Sequence, residues 1–186
     1  MKRLLLAAAL LCPAVLAAQA QPAAVSKDAP AADADVAAQR ELWRNTIRHI
    51  TVAAEEWPEA DYNWKPVETV RGFGALIAHV AGSQYAFCAP ALGENRDADE
   101  ANVERTATTK AAIVAALKAS TEYCDRAYRI NDAAAARPAS IFGMNRTGLY
   151  ALAWNANHNS EHYGNVITYM RMRGMVPPSS RPRQGQ

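Results

Sequence analysis

The stretch that decides the fold is residues 147–173, TGLYALAWNANHNSEHYGNVITYMRMR. Place His158 at zero degrees on a helix turning about 100° per residue. His162 then falls at roughly 40°, so both imidazoles project from one face, one turn apart. Ala151, Trp154, Val166 and Tyr169 lie within about 80° of the pair, and Leu149, Leu152, Ile167 and Met170 continue the apolar arc. Asn157, Glu161, Gly164, Thr168 and Arg171 hold the opposite, polar arc. This is a long amphipathic helix with two histidines on the flank of its buried face. Gly174 and Pro177-Pro178 close it.

Three more such segments precede it. Residues 36–57 repeat Trp43, Ile47, Ile50, Ala54 and Trp57 at three- and four-residue spacing and stop at Pro58. Residues 70–91, VRGFGALIAHVAGSQYAFCAPA, form a second helix ending near Gly93. A third opens at TTK with Thr108 or Thr109 as its cap and carries Ile113, Leu117, Ser120, Tyr123, Cys124 and Ala127 on one side. No segment alternates apolar and polar residues as a half-buried strand does. The expected class is all-α, a four-helix bundle over residues 36–175. The connections, about 12 to 16 residues each, leave the helix topology open.

The ends read differently. Residues 1–20, with Lys2 and Arg3 before an apolar run and Ala18-Gln19-Ala20 at its end, have the form of a cleaved secretory signal. A soluble periplasmic protein is expected, free of the membrane once the signal is removed, since no later apolar run approaches 18 residues. Residues 21–35 are an Ala-, Pro- and Asp-rich flexible lead-in, and 176–186 an extended tail. The formal charge of +2 falls to zero without Lys2 and Arg3. Balanced charge argues against a nucleic-acid partner, whose binding rests on clustered Lys and Arg. Cys88 and Cys124 remain as an even pair, and an oxidising compartment favours a disulfide over two buried thiols. The loop would hold about 37 residues, worth roughly 4 kcal/mol.

The chemistry lies in the histidines. Imidazoles at i and i+4 suit a divalent cation, with nitrogens about 2.0–2.1 Å from zinc, but two ligands seldom make a tight site. His79 shares its face with Gly72, Ala75, Gly82, Ser83 and Ala86, all small, which suits close helix approach or space beside a metal. A site of His79, His158 and His162 with open positions would be catalytic in type; the competing reading is ordinary packing. His49 falls off the apolar stripe and reads as a surface residue. Glu161 is the candidate second-sphere group or general base, with a solvated carboxylate as the alternative. Trp154 and Tyr169 read as pocket lining or core, and Arg146 as an anion contact or a surface residue. HNSEH also fits the inverted zinc-protease pattern H-x-x-E-H, but only 24 residues follow His162, too few for the further ligand of those enzymes.

Two blocks carry a family resemblance. ADYNWKPVETVRGFGALIAHVAG (60–82) and HNSEHYGNVITYMRMRGMVPPSS (158–180) resemble the Tyr-x-Trp-x-Pro, Arg-x-Phe-x-x-Leu-x-x-His and closing-helix patterns of the DinB/YfiT-like superfamily. The likeness spans about residues 36–180. It implies a four-helix bundle with a divalent metal, zinc or nickel, on three histidines that map onto His79, His158 and His162, and in several members a homodimer. It also implies a metal-dependent enzyme, a hydrolase or thiol-transferase-like, acting on a small molecule. The signal peptide departs from the cytoplasmic thiol transferases. The alternative is a non-catalytic periplasmic bundle that binds a metal or ligand.

Overall fold

The structure is a computed structural model and describes residues 33–96 and 99–182. The signal-like segment 1–20, most of the lead-in and the last four residues of the tail lie outside the described residues. Four long helices form the body: α1 (Ala34–Glu56), α2 (Phe73–Leu92), α4 (Lys110–Ala127) and α6 (Gly148–Met172). Between them lie α3 (Asp99–Thr106), α5 (Asp132–Ala135) and an antiparallel hairpin, β1 (Pro138–Ile141) with β2 (Met144–Thr147). The helices pack α2 on α4 and α6, and α1 on α6, with α1 closing more lightly on α4. The fold is all-α in its body, as expected.

The stripes read from spacing in α1 and α4 are buried. Trp43, Ile47, Ile50 and Ala54 of α1 face the core, as does the whole set Ile113, Leu117, Ser120, Tyr123, Cys124 and Ala127 of α4. Thr109 is the α4 cap, its hydroxyl accepting from the Ala112 N–H, and Thr147 caps α6 in the same way. The second helix starts three residues later than its apolar pattern suggests. The Phe73 N–H donates to the Trp64 carbonyl and the Gly74 N–H to the Tyr62 carbonyl. The preceding Tyr62-x-Trp64 turn thus supplies acceptors that the first turn of a helix lacks.

Helix α2 is the centre of the bundle. Its length and apolarity match those of a membrane-crossing helix, contrary to the expectation that no such run follows the first 20 residues, yet 83% of that window is buried in the bundle. Stacked pairs flank it, Trp57 on Phe73 at 3.9 Å and Trp43 on Tyr128 at 4.5 Å. Gln84, fully buried, accepts from the Trp43 indole N–H at 2.8 Å and donates to Ser120 at 2.8 Å, so this polar core residue is satisfied on both sides. A disulfide joins Cys88 of α2 to Cys124 of α4, with a Cα–Cα distance of 5.4 Å.

The hairpin, α3 and His49 depart from the expectation. The hairpin was not expected because its strands are four residues long and only Ile141 is buried, too little for a period of two to register. Helix α3 has no buried residue and an acidic start, so it carries no core stripe to find. His49 is half-buried rather than a free surface group, its ring stacked on Tyr163 at 5.3 Å.

Candidate metal centre

His79 projects from the middle of α2 toward α6, where His158 and His162 face it. The Nε2 atoms of His79 and His162 are 3.1 Å apart, and those of His162 and His158 are 3.0 Å apart. His79 and His162 are buried and His158 is half-buried. The structure brings together the three histidines singled out from the sequence.

Two nitrogens bound to one ion at about 2.0–2.1 Å, with angles between 90° and 110°, lie roughly 2.8–3.4 Å apart. Both measured separations fall in that interval. Without an ion such closeness is awkward, because His162 Nε2 faces two other ring nitrogens and one ring nitrogen either donates or accepts but does not do both. The three rings therefore fit a divalent cation better than they fit one another.

His79 is oriented from behind. Its Nδ1 lies 2.7 Å from Glu104 Oε1 and 3.2 Å from Glu100 Oε1, both on α3. An ionised carboxylate only accepts, so Nδ1 carries the ring proton and the lone pair of the neutral ring sits on Nε2, toward the other histidines. Arg71 pairs with Glu104 at 3.3 Å and directs it. The Arg71 carbonyl in turn accepts from the Tyr169 hydroxyl at 2.9 Å. Tyr169 therefore braces this loop from the core.

The approach of α3 depends on a small residue. A Cβ on Gly82 would lie 2.6 Å from the Glu100 Cα, so the cut-away face of α2 is the seat of α3. The small-residue face was visible in the sequence; the acidic i, i+4 pair Glu100 and Glu104 that sits on it was not singled out. Its signal was available, since two carboxylates one turn apart share a helix face.

The ring basicities differ. Burial, together with the neighbouring His162 and His79, brings His158 down to about 3. Burial and His79 bring His162 down to about 4. Burial also opposes charge on His79, but the bonds to Glu100 and Glu104 outweigh it and hold its pKa above the ordinary value. His158 and His162 are thus neutral ligands near pH 7.

The other sequence candidates fall around this cluster. Glu161 is exposed on α6, and the carboxylates within hydrogen-bond reach of the rings are those of α3. Trp154 is half-buried against Phe87, at 5.2 Å. Arg146 is exposed on the hairpin with its guanidinium 5.5 Å from the Tyr150 ring.

The family model of the DinB superfamily matches residues 41–166, a span that includes all three histidines. The chain belongs to the DinB superfamily. Among solved structures, a DinB-like protein from Bacillus subtilis is 21% identical, with a TM-score of 0.63 over 79% of this chain and 99% of that one. A DinB-like protein from Bacillus cereus ATCC 10987 is 13% identical, with a TM-score of 0.62 over 75% and 93%. A mycothiol-dependent maleylpyruvate isomerase is 17% identical, with a TM-score of 0.57 over 71% of this chain and 59% of its own. At these identities the likeness shows a shared fold. No curated protein matches the sequence.

Proposed function

We propose that this DinB-superfamily protein is a divalent-metal-dependent enzyme acting on a small molecule, with His79, His158 and His162 as the metal ligands. The observation that carries the proposal is the convergence of three imidazoles, with His162 Nε2 at 3.1 Å from that of His79 and 3.0 Å from that of His158, and with a carboxylate fixing the tautomer of one ring. Three protein ligands is the number found in catalytic rather than structural zinc sites. Imidazoles accept zinc or nickel alike.

When bound, such a metal lowers the pKa of a coordinated water or thiol and polarises a carbonyl. The chain's own contribution is orientation and charge. Glu104 holds the His79 proton at Nδ1, Arg71 holds Glu104, and the low pKa of His158 and His162 leaves their lone pairs free at neutral pH. A hydrolase or a thiol-transferase-like activity fits this donor set. One fold relative is by name a thiol-dependent isomerase, which lends weight to small-molecule chemistry. Export to the periplasm is part of the proposal, supported by the signal-like segment and by the Cys88–Cys124 bond, which favours an oxidising compartment.

The test is turnover of model esters, lactones and thiol–electrophile pairs by the metal-loaded protein, beside His158→Ala. Metal-dependent turnover lost in the variant supports the enzyme. Tight metal retention with no turnover supports a binding protein instead.

A further inference from the structure

An aromatic wall adjoins the histidine cluster at His158. Phe87 of α2 lies 5.1 Å from the His158 ring and 5.2 Å from Trp154 of α6. Phe142, at the hairpin tip, lies 5.5 Å from Phe87 and 5.6 Å from Trp154.

Phe142 is out of place by local rules. The hairpin pairs Ile141 with Met144, so its loop is Phe142-Gly143, and both have positive φ, 48° and 77°. Two-residue loops of this kind favour Asn, Asp or Gly at the first position; a bulky residue there is strained. Ile141 already closes the hairpin on the bundle with no exposure, while Phe142 is 45% exposed. A bulky ring held in a disfavoured conformation, half open to solvent and continuous with a candidate ligand site, is the pattern of a ligand clamp.

We propose that Phe142 and the half-buried Trp154, backed by the buried Phe87, bind an aromatic ring of the substrate, whose donor atom reaches the histidine centre. This rests on the proposed metal-site reading and adds the substrate class. Glu100 and Glu104 contact His79, whereas the wall contacts His158, so the substrate ring lies against the hairpin and the metal-binding group leads. Phe142 selects aryl over alkyl substrates.

The test uses the metal-loaded protein and two hydroxamates that share one metal-binding group, phenylacetohydroxamic acid and acetohydroxamic acid, titrated by calorimetry. The aryl compound should bind at least about tenfold tighter, the scale of one aromatic contact with its burial. Phe142→Asn should abolish that preference, leave acetohydroxamic acid unchanged and keep or raise the melting temperature, because Asn suits the turn. A residue that merely packs the hairpin would lower the melting temperature and would not discriminate between the ligands. Equal affinity of the two hydroxamates for the wild type, or no binding by a protein that retains its metal, overturns the inference and leaves the metal centre standing. Loss of the metal site itself would contradict the proposed function. The wall is then read on metal-free protein by quenching of Trp154 fluorescence with 4-nitrobenzyl alcohol, using Trp154→Phe as the blank. Quenching reduced by Phe142→Asn supports the wall; quenching unchanged by it, or absent, overturns it.

Discussion

His79 and Glu104 form the link between the histidine cluster and the surface helix α3: Nδ1 sits 2.7 Å from Oε1, while Nε2 of the same ring sits 3.1 Å from His162. One imidazole therefore transmits the position of a carboxylate to the centre. Glu104→Gln should weaken metal binding by about 10- to 100-fold, the usual effect of losing a carboxylate behind a ligating histidine. Removing Glu100 as well should weaken it further, since its Oε1 is 3.2 Å from the same nitrogen. Competition with a chromogenic chelator measures both, and the melting temperature of the metal-free variants should change little because both side chains are half exposed.

Gly82→Ala tests the seat of α3. The new methyl would stand 2.6 Å from the Glu100 Cα, and backbone cannot yield as a side-chain tip can. The variant should lose about 1–3 kcal/mol of stability and also bind metal more weakly, as both carboxylates move from His79. Denaturant melts and the same chelator assay report the two effects together.

The metal-free protein should lose stability as pH falls from 6.5 toward 5. His158 and His162 are held down to about 3 and 4 against an ordinary 6.5. The unfolded chain takes up protons at both positions in this interval and the folded chain does not, so acid favours unfolding. His79, with a raised pKa, acts in the opposite sense: its contribution is full below 6.5 and is lost as pH rises through its own folded value. His49, also lowered by burial, acts with the pair, so three residues oppose one and the net slope below 6.5 follows them. Thermal melts across this range should show the loss, and His158→Leu should flatten it. Metal binding should fall over the same range, because His79 must give up a proton to bind.

Much of the site could be read before the structure. His158 and His162 are one turn apart in a segment whose helical period is unambiguous, so their common face follows from geometry. His79 stands out by its small neighbours, which leave room beside it. The occupant of that room, α3, escaped because it buries none of its residues and its carboxylates look like a solvated acidic run. Phe142 escaped because a Phe-Gly loop does not announce a hairpin as Asn-Gly does. Both elements are positioned by tertiary contact rather than by their own periodicity.

The Cys88–Cys124 bond should be structural and independent of the centre. It closes 36 residues between α2 and α4, and its loss in a Cys88→Ser, Cys124→Ser variant should cost about 2–5 kcal/mol with chelator-measured metal affinity within about twofold of the wild type, a margin worth roughly 0.4 kcal/mol.

The central claim is that three rings from two helices hold one cation. Elemental analysis of protein purified without added chelator, beside His79→Ala, tests it most directly. The expected result is close to one zinc or nickel per chain in the wild type and little in the variant. A wild type without metal that also takes up none in dialysis against zinc or nickel would contradict the account.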